Sequence, residues 1–151
     1  MMASLLAIVL GTSHSNDYGL IRSLSKANIS FVFIMVGDSD PYCLSKSKYF
    51  RHNLIEKVVS FTEAYQVINS YRTRREKKII ICTNDTAAEF IDANEANLCD
   101  DFVTPMRGGT IGKMFNKDEQ CKLAYSCGLI VPKSIVYHIG DKLYDDSFCY
   151  P

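Results

Sequence analysis

Three stretches of the chain gather hydroxyl, amide and carboxylate groups beside glycine: Gly11-Thr12-Ser13-His14-Ser15, Thr83-Asn84-Asp85 and Thr104-Pro105-Met106-Arg107-Gly108-Gly109. Groups of these types suit hydrogen bonding to a small polar ligand. Asp85 could hold a substrate ammonium or hydroxyl, or equally cap a following helix. Familiar chemical motifs fail at each place. The glycine after Gly11 is Gly19, so the G-x-G-x-x-G spacing that lets a dinucleotide pyrophosphate approach the backbone is missing. Gly108-Gly109-Thr110-Ile111-Gly112-Lys113 comes near a phosphate loop, but its glycine spacing is one residue short. Met114 also stands where a magnesium-binding hydroxyl belongs, so the segment reads as a flexible connection into a helix.

His14, His52 and His138 have no metal-ligand spacing, which argues against a zinc site, and His14 reads as a solvated loop histidine. The six cysteines, at positions 43, 82, 99, 121, 127 and 149, include no C-x-x-C pair. Cys82, Cys121 and Cys127 fall in predicted elements and read as small buried hydrophobes. The basic run Arg72-Thr73-Arg74-Arg75-Glu76-Lys77-Lys78 fits a helix C-terminus, where cations meet the dipole and are ordinarily solvated. No Ser/His/Asp or Cys/His arrangement stands out.

The elements that must carry these loops follow from hydrophobic patterning. Leu5–Leu10, Phe31–Val36 and Ile79–Cys82 are apolar almost without interruption. Strand-length runs of this kind belong to parallel sheets covered on both faces. Leu20, Ile21, Leu24 and Ala27 make a helical face between the first two runs. Ser60 and Glu63 have capping-box spacing before a face of Ala64, Val67, Ile68 and Tyr71. Asn84 or Asp85 opens a helix with Ala88, Phe90 and Ile91 inward, and Phe102-Val103 is a short strand beyond it. Asn116 and Glu119 open a last helix that runs to Cys127, where Gly128 can take the left-handed C′ conformation. Between Asp38 and Val58 the pattern is weakest and reads as a loop with at most a short strand. The expected fold is a three-layer α/β domain over residues 1–151, with a mostly parallel open sheet and helices on both faces. Ligands then gather beyond the carboxyl ends of the strands.

Bulk properties narrow the partners. The chain has 151 residues, 47% hydrophobic, with 17 basic against 17 acidic side chains. That balance draws it neither to nucleic acid nor to an anionic membrane. The apolar start lacks Lys or Arg before Arg22 and is about half the length of a membrane span. Free thiols then point to the cytoplasm. Asn28-Ile29-Ser30 and Asn84-Asp85-Thr86 match the glycosylation triplet, which recurs by chance.

Taken in order, the features resemble the N-terminal, pre-ATP-grasp domain of ATP-grasp ligases, especially the carbamoyl-phosphate-synthase-like and D-aspartate-ligase-like carboxylate–amine ligases. The likeness spans most of the chain. It rests on Ile8-Val9-Leu10-Gly11, Gly19-Leu20-Ile21-Arg22-Ser23-Leu24, Ser45-Lys46-Ser47-Lys48-Tyr49, Thr83-Asn84-Asp85, Asn116-Lys117 with Leu123-Ala124, and Gly128-Leu129-Ile130-Val131-Pro132. The resemblance implies a Rossmann-like fold. It implies substrate contacts from Gly11, Thr12, Ser13, Asn84 and Asp85, and an ATP-phosphate contact from Lys117, beside which Asn116 replaces a frequent acidic residue. ATP and magnesium would serve the parent enzyme, held mostly by an ATP-grasp domain expected after Cys149-Tyr150-Pro151. A small carboxylate or amine would be the substrate, and this chain alone would be inactive. Oligomeric state stays open, a homodimer included. The alternative is a stand-alone α/β module, receiver-like or sugar-nucleotide-binding, that holds a small ligand or a partner. For a receiver, Gly11–Ser15 lacks the acidic cluster wanted after the first strand.

Overall fold

The computed structural model describes residues 4–38, 46–50, 54–105, 108–132 and 139–140. His52, His138, Cys43, Cys149, Ser45, Met106, Arg107 and the Cys149-Tyr150-Pro151 end lie outside them. The chain divides into two compact units, Met1–Gly112 and Lys113–Pro151.

In the first unit the elements run β1 (Leu5–Gly11), α1 (Ser15–Lys26), β2 (Ser30–Val36), a 3-10 turn (Lys48–Phe50), β3 (Leu54–Val58), α2 (Phe61–Ser70), β4 (Lys77–Cys82), α3 (Asp85–Ala93) and α4 (Glu95–Leu98). The four strands form one parallel sheet in the order β3-β2-β1-β4. Ile8 faces Val32 on one side and Ile80 on the other, so the two most apolar runs sit at the centre of the sheet. The expected α/β fold is therefore what forms. Val103 adds an isolated parallel bridge to Ile79, the remnant of the predicted Phe102-Val103 strand.

Alternation within each run sorts the side chains into two layers. Leu6, Ile8, Leu10, Val32 and Ile34 pack with Ala64 and Ile68 of α2 and with Ala87 and Ile91 of α3. Ala7, Val9, Phe31, Phe33 and Met35 pack with Ile21 and Leu24 of α1 and with Phe50. The connection from β1 to β2 and that from β3 to β4 run in opposite directions across the sheet. Crossovers of one hand must then land on opposite faces, which gives three layers. Fully burying a Phe or Ile side chain contributes roughly 1.5–3 kcal/mol, so these continuous runs dominate the fold.

Helix ends follow their local chemistry. The Ser60 hydroxyl accepts the Glu63 N–H at 3.2 Å, and the Glu63 carboxylate accepts the Val59 N–H at 3.0 Å. Helix α1 closes with Asn28 left-handed at φ +55°, Ile29 N–H reaching Leu24 O and Asn28 N–H reaching Ser25 O. These are the two bonds of a Schellman motif, with Ile29 and Leu24 in the same apolar layer.

One expectation is corrected by burial. Lys78 in the basic run is only 6% exposed, not solvated. Its ammonium donates to Arg72 O at 2.8 Å and Arg74 O at 3.0 Å and lies over the Phe102 ring. The turn after α2 thus wraps around the lysine, which satisfies two of the turn's own carbonyls. Arg72 fastens the same turn through Asn69, Asp101 and the Asn97 carbonyl.

The second unit contains α6 (Lys117–Ser126), preceded by the short α5 (Ile111–Met114), which begins in the first unit. Asn116 caps α6 by accepting from Asp118 N at 2.9 Å and Glu119 N at 3.3 Å. Gly128 closes it at φ +77°, with Leu129 N–H on Ala124 O and Gly128 N–H on Tyr125 O. Cap and stop signals were therefore read correctly. Burial was not: no residue of α6 is buried, and Cys127 is exposed.

Candidate functional site

The carboxyl ends of β1 and β4 are adjacent, and the chain leaves them in opposite senses. This makes a switch point, the place where open α/β sheets present a crevice. Two of the three predicted ligand loops meet there. Thr83 N–H and its hydroxyl reach Leu10 O at 3.0 and 3.1 Å, and the Asn84 side-chain amide donates to Thr12 Oγ1 at 3.1 Å. Gly11, Thr12, Ser13, Asn84 and Asp85 thus lie at the same end of the sheet, where such a crevice is expected.

Each loop is held by a different device. Ser13 turns the chain into α1 with φ +68°, a left-handed conformation rare for a residue other than glycine. Asn84 is the N-cap of α3, its Oδ1 accepting Ala87 N–H at 2.8 Å, while Asp85 is the exposed first residue of that helix. The capping choice left open between these two residues falls to Asn84. That frees the Asp85 carboxylate to meet a ligand.

Asp17, which belongs to no recognisable motif, is the support of both loops. It is fully buried in the first turn of α1, accepting the His14 N–H and the Thr83 hydroxyl. It joins the two loops from beneath. One signal was available, since Asp17, Ile21 and Leu24 stand at i, i+4 and i+7 and so share the buried face. Gly11 completes the contact. A Cβ there would fall well inside van der Waals distance of Asp17 Oδ1 and Thr83 Oγ1.

The side chains around the switch point favour some ligand chemistries over others. Both helices that begin at it carry an acidic side chain in the first turn, Asp17 and Asp85. These already complement the positive helix ends, so an anion would meet carboxylate as well as dipole. Thr12, Ser13, Asn84 and Asp85 instead suit hydroxyl, amide and ammonium groups. Cys82, just before Thr83, is no nucleophile: burial pushes its thiol up to about 12. With the folded value raised above the ordinary 9.0, the neutral thiol favours the folded state below pH 9, and that contribution is lost as pH rises toward 12. At pH 8 a disulfide reagent should modify exposed Cys99 and Cys127 while Cys82 reacts only after urea unfolding. Rapid labelling of Cys82 in the folded protein would contradict this.

The third loop lies elsewhere, against α3 and α4. Gly108 N–H donates to Glu95 and Ile111 N–H to Asp92 Oδ2 at 2.8 Å. Asp92 is 4% exposed, and its other oxygen has no partner among the described residues. Lys117 belongs to the second unit, exposed, with its ammonium 3.2 Å from Gln120 Oε1. Among the described residues no three His, Cys, Asp or Glu side chains are grouped to hold a metal. No described helix is long and apolar enough to cross a membrane.

Comparison with family models, with curated proteins and with solved structures yields no match.

Proposed function

We propose that this chain is the substrate-side N-terminal domain of an ATP-dependent carboxylate–amine ligase of the pre-ATP-grasp type. The observation that carries the reading is the joining of Thr12 to Asn84 across the β1/β4 switch point. It sets the two polar loops that resemble the family's substrate segments side by side. In such an enzyme a carboxylate is activated as an acyl phosphate and passed to an amine. The contribution of this chain is positional: hydroxyls of Thr12 and Ser13 and the carboxylate of Asp85 orient the amine-bearing or hydroxyl-bearing end of the substrate. Lys117, a flexible point charge, would reach toward ATP phosphates when joined to an ATP-grasp domain. The magnesium ligands belong to that domain.

The reading predicts weak ATP binding by the 151-residue chain and no substrate-dependent hydrolysis. Fused to a following ATP-grasp domain, it should gain ligase turnover that Lys117→Ala lowers by about tenfold or more. Substrate-dependent ATP hydrolysis by the chain alone at an ordinary ligase rate would overturn the proposal.

A stand-alone binding module is the second reading, favoured by Thr12, Asn84 and Asp85 all lying within Met1–Gly112. Micromolar binding of a small ligand at Thr12 and Asn84, indifferent to Lys117→Ala and to any added domain, would select it.

A further inference from the structure

The first unit has a second concavity at the amino-terminal ends of the strands, opposite the Thr12–Asn84 crevice. Its volume is about 240 Å³, its walls include Leu5, Phe31 and Leu54, and Tyr71, Arg74 and Glu76 border it. Leu5 and Leu54 are 37% and 58% exposed, large apolar side chains left uncovered at a hollow. The Arg74 guanidinium lies over the Tyr71 ring, 4.8 Å from its centre. Stacking restricts the guanidinium while leaving its edge N–H groups free to donate. Among the described residues, neither the Arg74 guanidinium nor the Glu76 carboxylate has an ion-pair or side-chain hydrogen-bond partner. Tyr71 keeps its phenol proton, since burial foremost and then Glu56 raise its pKa.

A cation and an anion two residues apart, neither paired among the described residues, beside an apolar wall, complement a molecule carrying both charges and an aliphatic body. We propose that this cavity binds a free aliphatic α-amino acid, its carboxylate on Arg74, its ammonium on Glu76 and its side chain against Leu5 and Leu54. The size agrees: the volume lies below the roughly 300–1,000 Å³ of pockets for drug-sized ligands, which disfavours a nucleotide. Each charge has a separate duty. A carboxylate without an ammonium forgoes the contact with Glu76, and an amine without a carboxylate forgoes that with Arg74. The site is independent of the ligase reading, because no residue of the Thr12–Asn84 crevice contributes to it.

The test is an NMR titration of the whole chain with leucine, with 4-methylpentanoate, which lacks the ammonium, and with isopentylamine, which lacks the carboxylate. Leucine should saturate with a Kd on the order of 1 mM, moving the amides of Leu5, Leu54 and Tyr71. Both single-charge analogues should bind about tenfold more weakly, and Arg74→Gln and Glu76→Gln should each weaken leucine by about tenfold. Native-like spectra of the two variants would show that they fold. The proposal is overturned if leucine up to about 50 mM gives no saturable shift at those amides. It is also overturned if the analogues or the variants match leucine and the parent chain within about twofold. Shifts confined to Thr12 and Asn84 would support the crevice and overturn this second site.

Discussion

Replacing Gly11 with alanine should lower the thermal midpoint by roughly 10 °C, the equivalent of about 3 kcal/mol in a chain of this size. The added Cβ meets Asp17 Oδ1 and Thr83 Oγ1 at distances that no real side chain adopts. Neither neighbour can swing aside cheaply. Asp17 is 0% exposed and bonded on both oxygens, and Thr83 is tied to Leu10 O as well as to Asp17. The methyl group must therefore break a buried hydrogen bond or push α1 from the sheet. Each route costs more than an ordinary overpacked contact. Gly19→Ala supplies the control. It lies within α1, a Cβ there meets nothing within 4 Å, and alanine should stabilise by about 0.5–1 kcal/mol through helix propensity. Thermal unfolding followed by circular dichroism measures both. Equal tolerance of the two substitutions would show that the packing at Gly11 is not what holds the loops.

The contrast between these glycines shows what was legible beforehand. Both sit in segments named from the sequence. The strand end at Gly11 was visible because Leu5–Leu10 is continuously apolar, which places the polar residues that follow at a carboxyl edge. What makes Gly11 irreplaceable was not visible, because it depends on Thr83, whose hydroxyl meets an aspartate 66 positions away in the chain. Strand β3 was faint for a related reason. It is an edge strand, so Leu54 stays exposed and Glu56 and Lys57 interrupt the pattern without cost. Lys78 misled because a basic run reads as solvated, whereas its stem lies in a strand and its tip finds two carbonyls. Strand order alone set the first two loops at the adjacent carboxyl ends of β1 and β4, where they stand. The third is not there, since Val103 joins the sheet only as a bridge and the loop after it is pinned to Glu95 and Asp92.

Asp17→Ala should cost about 2–3 kcal/mol, and its chemistry separates a hydrogen-bonding role from a packing role. Truncation leaves the His14 N–H without its acceptor, while the Thr83 hydroxyl keeps Leu10 O at 3.1 Å. Asp17→Asn should be far milder, about 1 kcal/mol or less. The asparagine oxygen still accepts from His14, and its amide can donate to Thr83 Oγ1, whose own proton then goes to Leu10 O. The order alanine, asparagine, parent in urea midpoint is therefore expected, with an unchanged denaturant slope. Coupling to Gly11 gives the sharper result. With Asp17 truncated, one of the two atoms that obstruct a Cβ at Gly11 is gone, so Gly11→Ala should cost about 1–2 kcal/mol less in the Asp17→Ala background. It should not become neutral, because Thr83 Oγ1 remains in the way. A double-mutant cycle with strictly additive energies would mean that α1 yields as a body, and the crevice would then be a soft junction. Strong coupling would mean that Gly11, Asp17 and Thr83 form one rigid support, which is the property a site at Thr12 and Asn84 needs to hold a substrate in register.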